Sequence, residues 1–383
     1  MTRKLSTRLV HQRSGKRHSP TVNPPVERAS TLLMPDTDSL NSQKPNYARL
    51  GLATHNELMD GLCDLEGGYS AHLAPSGLTA CALAISSLAE AGDQVLVIEN
   101  IYGPTRSFAR RRLKAMGVEA EFFPASIGEN IDTLFKPNTR AIFLEAPGSL
   151  TFEICDTRAI VAKAQAHGIS TIMDNTWSAG VYFKPLELGV DFSVQALTKY
   201  VVGHADAFGG VVLARDKKHS VRVATAARDW GLSMSPDDAY TALRGLRTLV
   251  PRLKLHETAA LELARWLEDQ PHVSRVIHPA LPSHPDHALW QRDFTGSSGL
   301  FGLVLKPMSK AAQDTFFAKL DLFGIGFSWG GYESLLIPAN PDMTRHDGHW
   351  WHGEDGLVVR MHVGLEDTSD LIANLQTAFA AAY

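Results

Sequence analysis

Cysteine is scarce in this chain. Only Cys63, Cys81 and Cys155 occur among 383 residues, and their spacing matches no metal-ligand pattern. So small and odd a set argues against a disulfide framework and suits a reducing compartment, so a cytoplasmic protein is expected. Long apolar runs are missing as well: none approaches the roughly 20 residues that span a bilayer, which excludes a helical membrane protein. Strong charge of either sign is also lacking. A net charge of −4 is small for this length and gives no reason to expect nucleic acid as a partner. Internal repeats and low-complexity tracts do not occur. One local bias stands out: the first 26 residues carry six Lys or Arg and no Asp or Glu. A basic start of this kind can be a transit peptide, a nucleic-acid arm or an arm packed on the protein itself, and the last is expected here.

What is present fits a soluble globular enzyme, with 44% hydrophobic and 20% charged residues. The length allows one large or two ordinary domains. From about residue 60 to 215, short apolar segments alternate with helical ones. Strands are predicted at 94–98, 119–123, 140–145, 169–173, 192–196 and 209–213. Helices are predicted at 76–91, at 102–116 with Pro104 in the first turn, and from an Asp156 cap to Gly168. This alternation implies an α/β fold with a mostly parallel sheet covered on both faces. After about residue 240 a long helical stretch runs past Trp266, with Pro251 expected to kink or divide it. Strands at 299–305 and 357–363 and helices at 309–320 and 370–381 then predict a smaller α+β domain. The expected organisation is an N-terminal arm (1–57), a large domain (58–245) and a C-terminal domain (246–383).

Two groups with complementary chemistry fall at predicted strand ends. Lys199 follows Gln195-Ala-Leu-Thr and precedes Tyr200, and Asp174 closes the segment that begins at Ile169. Taken singly, Lys199 is a surface lysine and Asp174 a loop or capping residue. Taken together, they are the pair a pyridoxal phosphate site needs: an amine to carry the cofactor and an acid to keep its ring nitrogen protonated. Pro75-Ser-Gly-Leu-Thr79 opens a helix, where N–H groups and the dipole favour a dianion. Thr198 can add a hydroxyl, and Tyr102 can lay its ring on a flat cofactor or serve as a rim tyrosine. Arg360 interrupts an apolar strand and needs a partner if buried, either a substrate carboxylate or an internal acid. His346, His349 and His352 lack the spacing of a helical zinc site and sit among Gly, Trp and Asp, so a polar loop is expected and no metal.

These residues belong to an ordered series of motifs. It includes Tyr47-Ala-Arg49, Glu145-Ala-Pro-Gly-Ser-Leu-Thr-Phe-Glu153, Asp174-Asn-Thr-Trp177, Gln195-Ala-Leu-Thr-Lys-Tyr200, Ser328-Trp-Gly-Gly-Tyr-Glu-Ser334 and Arg360-Met-His-Val-Gly-Leu-Glu-Asp367. In them the chain resembles, over nearly its whole length, the cystathionine β-lyase group of pyridoxal-phosphate enzymes of cysteine and methionine metabolism. The resemblance implies an aminotransferase-like (fold type I) architecture and a homotetramer built from dimers with shared active sites. It implies that Lys199 carries pyridoxal 5'-phosphate, Asp174 contacts the ring nitrogen and Tyr102 stacks on the ring. Gly77, Leu78 and Thr198 would hold the phosphate, with Tyr47 and Arg49 reaching the neighbouring subunit's phosphate. Ser328, Trp329 and Arg360 would receive the substrate carboxylate end. One position departs from the pattern: Ala196 stands where many relatives have serine, which removes one phosphate hydroxyl.

Within that group, Gly148-Ser149 and Trp329 resemble β-lyases. The expected reaction is β-elimination of L-cystathionine to homocysteine, pyruvate and ammonia in methionine biosynthesis, with slower action on cysteine and S-substituted cysteines. The alternatives are a γ-synthase or γ-lyase of the same family, a catalytically weak regulator on this scaffold, or a metal hydrolase using the histidine run. Lys199 is expected to take the Cα proton and Arg360 to fix the carboxylate.

Overall fold

The computed structural model of the chain describes residues 3–12, 21–42, 45–339 and 356–383. Its first half runs α1 (Leu5–Val10), α2 (Ser39–Ser42), α3 (Ala53–Glu66), β1 (Ser70–Ala74), α4 (Gly77–Ser86), β2 (Gln94–Ile98), α5 (Gly103–Phe108), β3 (Glu119–Phe123), β4 (Thr139–Glu145), α6 (Thr157–Ala166), β5 (Ser170–Asp174), β6 (Phe192–Gln195) and β7 (Gly210–Ala214). There follow α7 (Lys217–Asp229), α8 (Pro236–Leu246), α9 (Leu249–Glu268), β8 (Val273–Ile277), α10 (His287–Asp293), β9 (Leu300–Leu305), α11 (Lys310–Ala318), β10 (Leu335–Pro338), β11 (Leu357–His362) and α12 (Thr368–Ala382).

The first seven strands form one sheet in the order β1-β7-β6-β5-β4-β2-β3. Strands β6, β5, β4, β2 and β3 run parallel, and β7 is antiparallel to both β1 and β6. This is the mostly parallel α/β sheet expected. Every residue of β2, β6 and β7 is buried, as strands covered on both faces require. Asp174 is paired with Val194 across β5 and β6, so the carboxyl ends of these strands lie side by side. Lys199 follows β6 by four residues.

The second sheet, β10-β11-β9-β8, is antiparallel throughout. Alternation along β11 divides its side chains between two cores. Leu357, Val359 and Met361 join Ala260, Leu263, Phe316 and Phe379 under α9, α11 and α12. Val358 belongs to the core of the first sheet. Arg360 and His362, in step with Val358, therefore share the face turned toward that sheet.

Two helix predictions are corrected. The helix expected at 76–91 ends at Ser86, and Ser87 turns its hydroxyl onto Ala84 O at 2.8 Å. The one at 102–116 passes from α5 into a wider π-type stretch, Ala109–Leu113. The long stretch beyond 238 divides between α8 and α9 at Arg247 and Thr248. Pro251 lies in the first turn of α9, where its missing N–H breaks no helical bond, so the expected division falls just before it. No helix among the described residues is long and apolar enough to cross a membrane.

Candidate active site

A cavity of about 660 Å³ opens at the carboxyl ends of β4, β5 and β6 and is walled on its far side by Ser328, Trp329 and Arg360. Lys199 enters it from a tight turn. Lys199 N–H donates to Ala196 O at 3.1 Å and Gly203 N–H to Lys199 O at 2.8 Å. Beneath that turn the buried Arg252 donates to Tyr200 O at 2.8 Å, Gly245 O at 2.8 Å and Val201 O at 3.3 Å. The Lys199 side chain points to the second sheet. Its Nζ donates to Ser328 Oγ at 2.8 Å and lies 5.2 Å from the Trp329 ring centre. Burial, helped by the nearby Arg360 charge and opposed by Asp174, lowers its pKa to about 8. An amine of that kind can switch between base and acid near neutral pH.

Asp174 is buried at the end of β5, and its carboxylate is held on both oxygens. Oδ1 accepts from Thr176 N–H at 3.0 Å and from Thr176 Oγ1 at 2.5 Å, and the Cys81 thiol lies 3.7 Å from Oδ2. Burial pushes the carboxyl pKa up, against the hydrogen bonds from Thr176 and Cys81 and the Lys199 charge. A buried acid so placed is satisfied by a cationic N–H group, which is what a protonated pyridine ring offers. Tyr102 lines the same cavity, and its backbone N–H donates to Glu145 Oε2 at 2.7 Å. Burial, then the nearby Cys81, Asp174 and Glu145, raises its phenol pKa.

The start of α4 forms the cavity's third wall. Ser76 caps the helix, its Oγ accepting from Thr79 N–H at 3.2 Å. The first-turn N–H groups of Gly77 and Leu78 have no carbonyl partner within the helix, and both residues line the cavity. This turn sits directly on the sheet: a Cβ on Gly77 would lie 2.4 Å from Ala196 Cβ, and one on Gly210 would lie 2.3 Å from Ser76 O. The Ala196 methyl thus fills the contact with Gly77. Thr198 Oγ1 donates to Gly209 O at 3.2 Å and accepts from Gly209 N–H at 3.1 Å. Its proton is committed to that carbonyl, and service to a phosphate requires an exchange of partner. The amine, the acid and the helix start together fit pyridoxal phosphate.

On the opposite wall, the half-buried Arg360 donates from Nη2 to Ser328 O at 3.0 Å. Ser328 itself holds φ at +83°. Among the described residues five non-glycine residues adopt positive φ, and Leu150, Phe152, Ala205 and Ser328 of these line the cavity. Backbone strain of this kind gathers where a site is over-determined by its surroundings.

Two expected residues lie elsewhere. Tyr47, 44% exposed, and Arg49, its guanidinium 5.5 Å from the Tyr47 ring centre, belong to the N-terminal arm and do not line this cavity. His346, His349 and His352 fall outside the described residues. Among the described residues one group of metal-type ligands converges, Asp191, Asp216 and His219. It lies at the opposite end of the strands from Lys199, and Arg215 donates to Asp191 there at 2.7 Å, making it an ion-pair network. Cys81, Glu145 and Trp177 are among the cavity residues to which the sequence assigned no role. Glu145 was visible as an acid ending an apolar strand. Trp177 donates its indole N–H to Leu300 O at 2.8 Å and so ties the two sheets at the cavity.

Residues 6–380 match the family model described as Cys/Met metabolism PLP-dependent enzyme. The chain is 45% identical over 368 residues to the putative cystathionine beta-lyase of Rhizobium johnstonii, covering 94% of this chain and 92% of that one. It is 40% identical over 392 residues to cystathionine beta-lyase MetC of Escherichia coli, covering 99% and 98%. Its fold is similar to the crystal structure of cystathionine gamma synthase from Xanthomonas oryzae pv. oryzae in complex with aminoacrylate and cysteine, with a TM-score of 0.93 at 28% identity over 100% and 99% of the chains.

Proposed function

Because the chain belongs to the Cys/Met metabolism PLP-dependent enzyme family, we propose that it is a carbon–sulfur lyase that cleaves L-cystathionine by β-elimination to homocysteine, pyruvate and ammonia. The observation that carries this reading is Lys199, an amine of lowered pKa set between a buried acid and an arginine-held turn. Asp174, Tyr102, Gly77, Leu78 and Thr198 would hold the cofactor with Lys199. Pyridoxal phosphate supplies the electron sink that tolerates negative charge at the substrate Cα.

The chain's own residues do the rest. Arg360 offers a fork to the substrate carboxylate and orients Cα toward Lys199 Nζ. Ser328 Oγ and the Trp329 ring hold Nζ on that side. Unprotonated Nζ takes the Cα proton and then gives it to the leaving sulfur, so the Cβ–S bond breaks and homocysteine departs as a thiol. Water converts the remaining three-carbon fragment to pyruvate and ammonia. Tyr102, its phenol kept protonated by burial, walls the site across from the turn. Trp329, its ring centre 5.2 Å from Lys199 Nζ, supports β- over γ-cleavage through the resemblance to β-lyases at that position.

Tyr47 and Arg49 would complete a neighbouring subunit's phosphate site, within a homotetramer built from dimers. The three unpaired cysteines support a cytoplasmic setting. The test is an assay of the purified holoenzyme with L-cystathionine. Pyruvate and a free thiol in equal amounts are expected. Release of 2-oxobutyrate and cysteine instead would overturn β-elimination in favour of γ-cleavage, and no product at all would overturn the lyase assignment.

A further inference from the structure

Beneath the Ser328–Gly331 turn lies a buried ring that the reaction above does not use. His362 is 1% exposed and shares with Arg360 the cavity-side face of β11. Its Nε2 accepts from Gly330 N–H at 3.1 Å and, carrying no proton in that role, makes no hydrogen bond to Gly331 O, also 3.1 Å away. Arg360 grips the same turn one step earlier, at Ser328 O. The turn is pressed flat on the catalytic lysine: a Cβ on Gly330, whose φ is +85°, would lie 2.8 Å from Tyr200 N and 2.9 Å from Lys199 C. Nothing bulkier than glycine fits there, so the turn has no side-chain cushion and its position is set by its anchors. Trp329 packs 5.4 Å from the Tyr200 ring, and Tyr200 in turn lies 6.0 Å from His362.

We propose that His362 is a positioning residue for the lysine: by accepting from Gly330 N–H it holds Ser328 in its left-handed conformation and so aims Ser328 Oγ at Lys199 Nζ. The physical reason is over-determination. A serine at φ +83° relaxes unless its neighbours forbid it. Arg360 fixes the carbonyl side of Ser328, and His362 fixes the backbone two residues on. With only the first anchor, Ser328 can rotate toward the favoured region and carry its hydroxyl off Nζ. The ring serves while neutral, because a doubly protonated imidazole could not accept from Gly330 N–H. Burial, with His256, Arg360 and Lys199 nearby, lowers its pKa to about 3. His256, 5.3 Å away, donates from Nδ1 to Val363 O at 2.8 Å and is itself lowered to about 4. The groups that face Lys199 from all sides are then Asp174, Arg360, Ser328 and Trp329.

This inference rests on the proposed cofactor chemistry, but its test does not need the substrate to be cystathionine. The holoenzyme's visible cofactor band is titrated with pH in wild type, His362→Leu, His362→Gln and Gly330→Ala, alongside thermal melts and kcat and KM. His362→Leu fills the space and removes the acceptor for Gly330 N–H, whereas the Gln carboxamide oxygen restores one. The expected result is a displaced titration midpoint and a fall in kcat/KM of about tenfold or more in His362→Leu. His362→Gln should return most of both, and Gly330→Ala should shift the midpoint as the leucine variant does. Equal damage in the Leu and Gln variants, or a wild-type titration midpoint in both His362→Leu and Gly330→Ala, would overturn the assignment. Should His362→Leu not fold, His362→Met, also apolar and of similar volume, takes its place under the same criteria. A wild-type protein that binds cofactor and fails to cleave cystathionine would instead count against the lyase reading alone.

Discussion

At the scale of single residues, Lys199 trades stability for chemistry. In the cofactor-free protein its pKa is about 8 against an ordinary 10.5. The sign follows from proton counting. Below about pH 8 the folded chain must keep a buried cation and carries the whole burden. Between the two values the unfolded state binds the extra proton, so stability rises with pH. Lys199→Met should therefore melt above the cofactor-free wild type at about pH 7, with the gap closing toward about pH 10. It should also lose the visible cofactor band and all turnover. A variant that melts below wild type at neutral pH would count against a burdened lysine. This residue was legible in the sequence because amine, acid and helix start all carry local signals. His362 was not: it sits in a quoted motif, but only the folded chain brings it under a turn more than thirty positions away.

At the scale of elements, the turn after β6 depends on α9, a helix from later in the chain. Arg252 is the first-turn residue of α9 that supplies donors to Tyr200 O, Val201 O and Gly245 O. Burial lowers even its guanidinium pKa, to about 10, with no carboxylate among these partners. Arg252→Leu should cost about 3 kcal/mol or more by stranding buried carbonyls. It should weaken cofactor retention as well, since Lys199 loses its backing. Denaturant unfolding and the visible band check both, and an unchanged midpoint would remove Arg252 from the argument. The buried parallel strands were readable to within a residue or two, because continuous apolar runs bounded by turns leave little choice. Three short strands of the two sheets were not. The five-residue β1 and β8 and the four-residue β10 carry only weak apolar patterns, and β10 closes on a strand twenty residues further on. Pro251 pointed to the division of the long helical stretch but not to its place, because a proline is tolerated in a first turn and the break therefore falls just before it.

At the scale of the whole molecule, the arm poses the sharpest question. Tyr47 and Arg49 stay off the cavity of their own chain, which fits service to a neighbour. Mixed subunits test this. Lys199→Ala and Arg49→Ala chains, each inactive alone, should regain about a quarter of the wild-type sites when co-expressed equally, because half of random dimers pair one of each. No recovery would place both residues in one subunit's site. The two sheets were legible as two regions of different pattern, whereas the tie between them, Trp177 to Leu300, exists only in three dimensions. A last consequence follows from the bare contact of Gly77 with Ala196 and of Gly210 with Ser76. Backbone atoms and the Ala196 methyl meet there, and none of them can rotate out of the way. The start of α4 and the segment leading into Lys199 are thus clamped like the jaws of a fixed gauge. Such a gauge accepts one molecular length: a cofactor analogue with a longer or shorter arm between its aldehyde and its phosphate could engage either jaw, but not both.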